Sequence, residues 1–283
     1  PGDLTISDCN FTFDPNNPAA YFGAVTVSDN CPANNIIRDV VDDQRTQCGT
    51  GDVIRTVTVG QGRTIFGTCT QTITFENNYP FYINDLNHND PGDDITWPKD
   101  YLALGQCTFA GLLPETLPDS SRMPVFTEDA CDLVGMRYED QVFPFTTNGA
   151  CYKIIRRWFV IDWCQTDDNN EPKTWIHEQE IKVVDNNRPT LILPVTKVVF
   201  ETLNCSSEEV TLSATAIDCT PSAELKWYYE IFEGTTKIAS GNTRLVRDEF
   251  ELGDYRIYYR VEDRCGNVSD GSYEFSVESV KAP

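Results

Sequence analysis

Cys9, Cys107 and Cys205 stand 98 residues apart, twice over, in a chain of 283 residues. A fixed interval of this kind constrains the fold more than composition does, because a repeated unit must fold and stack on its neighbours. Weaker echoes surround the three cysteines. Each unit opens at a proline: Pro1-Gly-Asp-Leu-Thr-Ile, Pro91-Gly-Asp-Asp-Ile-Thr and Pro189-Thr-Leu-Ile-Leu. Each has a second cysteine closing a short strand, in Asp29-Asn30-Cys31, Asp129-Ala130-Cys131 and Asp218-Cys219. The first two share a third, at Cys48 and Cys151, and every unit closes with an alternating strand that runs into a polar link. Length alone allows two average domains; the repeats divide the chain into three, 1–84, 85–187 and 188–283. Pro1 and Pro283 fall in the phase of Pro91 and Pro189, as expected of three units cut from a longer array.

Nearly every unit reads as strand. In the third, Tyr255, Ile257, Tyr259 and Val261 alternate with Arg256, Tyr258, Arg260 and Glu262, and Tyr273, Phe275 and Val277 alternate with Glu274, Ser276 and Glu278. That period of two marks strands with one apolar face. Stretches 210–217 and 225–232 add β-rich runs bounded by Pro, Gly, Ser and Asn. No long window shows a capped 3.6 period. The expected fold is all-β: three tandem immunoglobulin-like β-sandwich domains, stapled by disulfides. Leu252-Gly-Asp-Tyr255 predicts a tyrosine corner, and Trp227 falls where a core tryptophan on strand C would lie, although a plain β core explains it equally well.

With 44 acidic against 22 basic residues the formal charge is −22. It divides as −7, −8 and −7 over residues 1–90, 91–188 and 189–283, which reads as general solvation. Such a field repels phosphate backbones and anionic lipid, so neither nucleic acid nor membrane surface is an expected partner. No apolar run approaches the ~20 residues of a membrane span. The first residues lack the basic and apolar regions of a signal peptide.

Eleven cysteines predict an oxidising, extracellular setting. With strands in immunoglobulin order A to G, the A–B and E–F connections share one end of a sandwich and B–C and F–G the other. Four cysteines allow three connectivities, among which sequence does not choose. Proximity of loops within one sandwich favours Cys9 with Cys48, Cys31 with Cys69, Cys107 with Cys151, Cys131 with Cys164, and Cys219 with Cys265. Cys205 is left over, its place in the third unit falling opposite Gly253 or Asp254; we expect a buried, unpaired thiol, with an intermolecular bridge as the alternative. The absence of a Cys-x2-Cys pair argues against zinc.

Stretches 138–143, 150–165 (Ala-Cys-Tyr-Lys-Ile-Ile-Arg-Arg-Trp-Phe-Val-Ile-Asp-Trp-Cys-Gln) and 175–185 resemble repeat units of giant surface proteins of bacteria with a type IX secretion system, including gliding-motility adhesins. Tyr259-Arg-Val-Glu-Asp-Arg-Cys-Gly-Asn267, after Asp185-Asn-Asn-Arg-Pro189, is similar to the hyaline-repeat (HYR) domain, an immunoglobulin-like adhesion module, and 25–31 with 69–75 fit the same pattern. The resemblance implies a non-catalytic stalk, adhesin or filament unit at the cell surface, partnered by neighbouring repeats of the same or identical chains, with its glycan or protein ligand unnamed.

The residues agree with that implication. His88 and His177 stand near no nucleophile motif, and no Gly-x-Ser-x-Gly, phosphate-cradling loop or His-Glu-x-x-His occurs. The metal expectation is calcium at the domain junctions, where the A–B/E–F end of one unit meets the B–C/F–G end of the next. At the first junction the candidates are Asp90, Asp93, Asp94, Asp129, Asp162, Asp167 and Asp168; at the second, the less favoured, Asp185 with Asp218 and Asp263. The bland alternative is that Asp and Asn are turn residues. Asn10, Asn204 and Asn267 match the short glycosylation pattern. A second function, carbohydrate binding as an accessory module of a secreted enzyme, would need exposed coplanar aromatics such as Trp97, Trp163 and Trp175.

Overall fold

The computed structural model describes residues 1–28, 35–84, 92–147, 150–203 and 206–280. Cys31, His88, Asp90, Asn204 and Cys205 lie outside the described residues. The chain packs as two compact units. One comprises Pro1–Pro98, Met123–Glu139 and Arg157–Glu178; the other comprises Lys99–Arg122, Asp140–Arg156 and Gln179–Pro283.

In the first unit, β1 (Leu4–Ile6), β2 (Ile36–Asp43), β3 (Gly51–Gln61) and β4 (Thr64–Phe75) form a sheet in the order β1-β4-β3-β2. β1 runs parallel to β4 and the other pairs are antiparallel, the A′-G-F-C half of an immunoglobulin sandwich. Val53, Arg55 and Val57 of β3 point inward at every second position. The layer opposite is a loop ending in a one-turn helix, α1 (Ala19–Phe22), whose Phe22 packs with Val53, Ile73 and Phe75.

Loops carry unpaired backbone carbonyls, so a core facing them needs donors. Arg55, fully buried, supplies them. Its Nη1 donates to the carbonyls of Phe22 (3.3 Å) and Gly23 (2.9 Å) and to Gln71 Oε1 (2.9 Å), while Nε and Nη2 hold Asp39. Gln71, directly opposite Arg55 in the ladder, donates to the carbonyls of Gly2 (2.6 Å) and Phe22 (3.1 Å).

The second repeat contributes β5 (Ile95–Thr96), β6 (Tyr101–Leu104), a short helix α2 (Asp119–Arg122), β7 (Val125–Phe126), β8 (Val134–Thr147), β9 (Ala150–Thr166) and β10 (Pro172–Val184). β6, β10, β9 and β8 repeat the order A′-G-F-C, again with β6 parallel to β10. Its share of the first unit holds the antiparallel ribbon of β5 and β7 over Phe81, Ile95, Trp97, Trp158, Val160 and Trp175. In the second unit the polar device recurs. Buried Arg156 binds Asp140 and the Leu112 carbonyl (2.7 Å), and buried Gln179 donates to the carbonyls of Lys99 and Ser121, both at 2.7 Å.

The third repeat has β11 (Thr190–Ile192), β12 (Val198–Thr202), β13 (Ser207–Ser213), β14 (Thr215–Ile217), β15 (Lys226–Glu233), β16 (Thr236–Gly241), β17 (Leu245–Glu251), β18 (Gly253–Glu262) and β19 (Val268–Ser279). This is the full sandwich: β12-β19-β18-β15-β16 on one side, β13-β17 with β11-β14 on the other. Val210, Leu212, Val246 and Phe250 face Ile231, Ile257, Tyr259 and Phe275 across its core. Ile257 pairs with Tyr273 and precedes Cys265 by the eight residues that separate Arg156 from Cys164. A second sheet pairs its own backbone, so apolar residues stand where the loop-faced repeats need Arg and Gln. The tyrosine corner forms as expected, Tyr255 donating its hydroxyl to the Glu251 carbonyl at 3.0 Å. Trp227 lies buried on β15, edge-on to Tyr259.

All-β architecture with immunoglobulin-type strand order therefore holds. Two features differ from expectation. In the first two repeats the second layer is largely loop and short helix, because their A–E stretch lacks the alternating runs seen between Val210 and Phe250. And among the described residues no disulfide closes within one repeat.

Candidate functional site: the repeat junctions

Among the described residues four bridges are formed: Cys9–Cys131, Cys48–Cys164, Cys107–Cys219 and Cys151–Cys265, with Cα separations of 5.1, 5.7, 5.9 and 4.3 Å. Each joins one repeat to the next. The A–B cysteine of a repeat meets the B–C cysteine of its successor, and the E–F cysteine meets the F–G cysteine. The expected pairs Cys9–Cys48, Cys107–Cys151, Cys131–Cys164 and Cys219–Cys265 are thus corrected. Their members are bridged, but to other partners. Loops at one end of a small sandwich are separated by its thickness, about 10 Å between sheets, whereas apposed ends of successive repeats meet directly. Cys69, on β4 opposite Val57, is exposed and unbridged among the described residues; Cys31, its expected partner, lies outside them.

The first junction spends its carboxylates on backbone. Fully buried Asp162 accepts from the amides of Cys164 (2.9 Å) and Leu133 (3.3 Å) and from Gln165 Nε2 (2.8 Å). Asp129 accepts from the Cys131 amide, Asp93 from Asn84, and Asp94 from Tyr82. Asp167 closes the β9–β10 turn by accepting from Asn169 and Glu171, and those backbone bonds hold its carboxyl below the ordinary range. Asp168 is exposed. Asp132, absent from the sequence expectation, is pushed up by burial, and the charges of Asp129 and Asp162 add to the rise. Asn77 Nδ2 lies 3.5 Å from its Oδ1. Among the described residues the expected calcium ligands form no group of three with ligand atoms within 4.8 Å.

At the second junction such groups do form, around Asp185: with Asp218, Cys107 and Cys219 on one side, and with Asp263 and Cys265 on the other. Asp185 and Asp263 are fully buried. Asp185 Oδ1 accepts from the Asn187 amide and side chain (3.0 and 2.8 Å). Asp263 accepts twice from Asn267, whose Nδ2 also reaches the Asp185 carbonyl. This engagement makes Asn267 a poor glycosylation acceptor. Burial raises the Asp263 carboxyl, with Asp218's charge adding to the rise against the Asn267 bonds.

The aromatic platform does not assemble. Trp97 and Trp175 are 2% and 6% exposed in the core, and Trp97 stacks on His177 at 4.9 Å; Trp163 alone of the three is exposed. What sequence reasoning missed is the Arg–Asp–Gln device. Its signal was present, as arginine and glutamine at inward positions of otherwise apolar strand faces.

No protein-family model matches the chain, and no curated protein matches it. In structure it is similar to protocadherin gamma B7 extracellular cadherin domains 1–4, with 11% identity, 99% of this chain and 75% of that one covered, and a TM-score of 0.36. It is also similar to mouse protocadherin-24 EC1–3, with 12% identity, 98% and 96% coverage, and a TM-score of 0.31. A further neighbour is Drosophila N-cadherin EC1–4, at 12% identity, 97% and 73% coverage, and a TM-score of 0.24.

Proposed function

We propose that the chain is a non-catalytic, load-bearing segment of an extracellular adhesive surface protein, built from three immunoglobulin-like domains at 1–84, 85–187 and 188–283. The observation that carries this reading is the placement of all four described disulfides between successive repeats rather than inside them. Bridges between domains add little to the core of either; they hold neighbours together under pulling or shear. Disulfides also belong to oxidising compartments outside the cytosol. The resemblance to type IX-secreted surface proteins and HYR modules supports the same reading. Neighbouring repeats are its first partners. The carbohydrate-binding alternative loses support, since two of its three tryptophans pack in the core.

Single-molecule stretching tests the proposal. With the observed bridges, tension follows Pro1 to Cys9, Cys131 to Cys151, and Cys265 to Pro283, roughly 46 residue steps or about 16 nm at ~3.5 Å per residue. Within-repeat bridges would release about 52 nm, and the reduced chain about 99 nm. A limit near 16 nm for the oxidised chain supports the load-bearing role; extension to the reduced length before rupture contradicts it.

A further inference from the structure

We infer that β2 pairs edge to edge with β2 of a second copy of this chain, antiparallel about a two-fold axis at Val40. β2 ends its sheet, so one row of its backbone N–H and C=O groups has no ladder partner among the described residues. Gln44 donates to the Asp52 carbonyl at 2.9 Å, and in an antiparallel ladder such bonded positions recur at every second residue. Ile36, Arg38, Val40 and Asp42 therefore turn their backbone groups toward β3, in register with Gly60, Thr58, Thr56 and Ile54. Ile37, Asp39, Val41 and Asp43 turn theirs toward the open edge.

Charge complementarity names the occupant. The charged side chains of β2 are Arg38, Asp39, Asp42 and Asp43. Asp39 is neutralised by Arg55 at 2.6 Å and Asp43 by Arg45 at 2.7 Å. Arg38 and Asp42 are left over. Both are exposed, neither forms an ion pair among the described residues, and Asp42 accepts only from the neighbouring Gln44 side chain. They share one face of the strand with Val40, which lies between them and is 52% exposed. A second strand turned about Val40 sets Arg38 opposite Asp42 of the second copy, twice, with the two Val40 side chains at the centre. These are non-hydrogen-bonded pairs, in which facing side chains come closest. The same turn sets Asp39 opposite Val41 and Ile37 opposite Asp43, whose backbone groups all face the edge. Bonding pattern and side-chain register agree, as a two-fold interface requires.

The corresponding strands of the other two repeats are closed to such pairing. β15 already holds β16 on that side. In β8, Arg137 is bound to Glu139. Pro144 also follows Asp140 by the same four residues that separate Asp43 from Asp39, and it has no N–H to give to an edge. The formal charge of −22 opposes association at low ionic strength, so pairing belongs to conditions in which salt screens the long-range repulsion. The inference is separate from the load-bearing reading, because stretching probes one chain and association two.

The test is sedimentation velocity of the oxidised chain from about 1 to 300 µM in ~0.15 M salt. A concentration-dependent monomer–dimer equilibrium is expected. Arg38→Asp and Asp42→Arg each set like charges opposite one another and should weaken it about tenfold or more. Both positions are exposed, and unchanged thermal melts will show that the variants fold. Mixed one to one, the two variants regain opposite charges at both pairs and should form a heterodimer as tight as the parent dimer. Ile37→Pro removes an edge-facing N–H but no bond to β3, and should abolish pairing. A parent chain that stays monomeric throughout, a dimer unchanged by Arg38→Asp or by Ile37→Pro, or a mixture of the two charge variants that does not pair would each overturn the inference.

Discussion

Glu180 is held between Lys153 and Lys182, the latter at 2.6 Å, and its carboxyl lies below its ordinary value, chiefly through the Lys153 bond and then that of Lys182, against the cost of burial. A carboxyl lowered in the folded state contributes stability that is present above its unfolded value near 4.5 and is lost as pH falls through the folded one. Glu180→Gln should therefore lower stability at neutral pH by no more than about 1 kcal/mol. It should also flatten the decline below pH 4.5, read by urea denaturation across pH; an unchanged acid slope would refute this. Asp263 has the opposite sign. Raised by burial, it favours the fold at low pH and loses that contribution as pH rises through its folded value.

At the scale of elements, the legible parts were the strands with clean alternation. Tyr255 to Val261 and Tyr273 to Val277 announce β18 and β19, and Leu252-Gly-Asp-Tyr255 announces the corner between β17 and β18. The loop layers of the first two repeats were not legible, because nothing periodic marks a segment whose order comes from buried side chains reaching its carbonyls. Arg156 is the clearest of these, since it ties β9 to Asp140 and to the loop at Leu112. Arg156→Met keeps the volume but strands Asp140 and the carbonyl. It should cost about 3 kcal/mol, seen as a lower urea midpoint with unchanged slope. A loss below about 0.5 kcal/mol would show that the loop layer does not depend on it.

At the scale of the whole molecule, the repeat count and the even spread of charge were readable from the interval of 98 and the balance of acids in each unit. The bridge set was not. Four cysteines in each of the first two repeats and three in the third are compatible with closure inside a sandwich, and only the apposition of successive ends selects closure between them. The end-to-end placement that led us to expect carboxylates at the junctions applies equally to cysteines: Cys9 and Cys48 lie at one end of the first repeat, Cys131 and Cys164 at the facing end of the second. By register, Cys205 corresponds to Cys9 and Cys107, both bridged to a following repeat, but it lies outside the described residues. With loops of 112 to 122 residues, each cross-repeat bridge restricts the unfolded chain by about 4.7 kcal/mol in the chain-entropy account, before any coupling between them.

Peptide mapping of the unreduced protein by mass spectrometry tests that arrangement most directly. The account predicts linked peptides for Cys9–Cys131, Cys48–Cys164, Cys107–Cys219 and Cys151–Cys265. Linked peptides for Cys9–Cys48, Cys107–Cys151, Cys131–Cys164 or Cys219–Cys265 would contradict it.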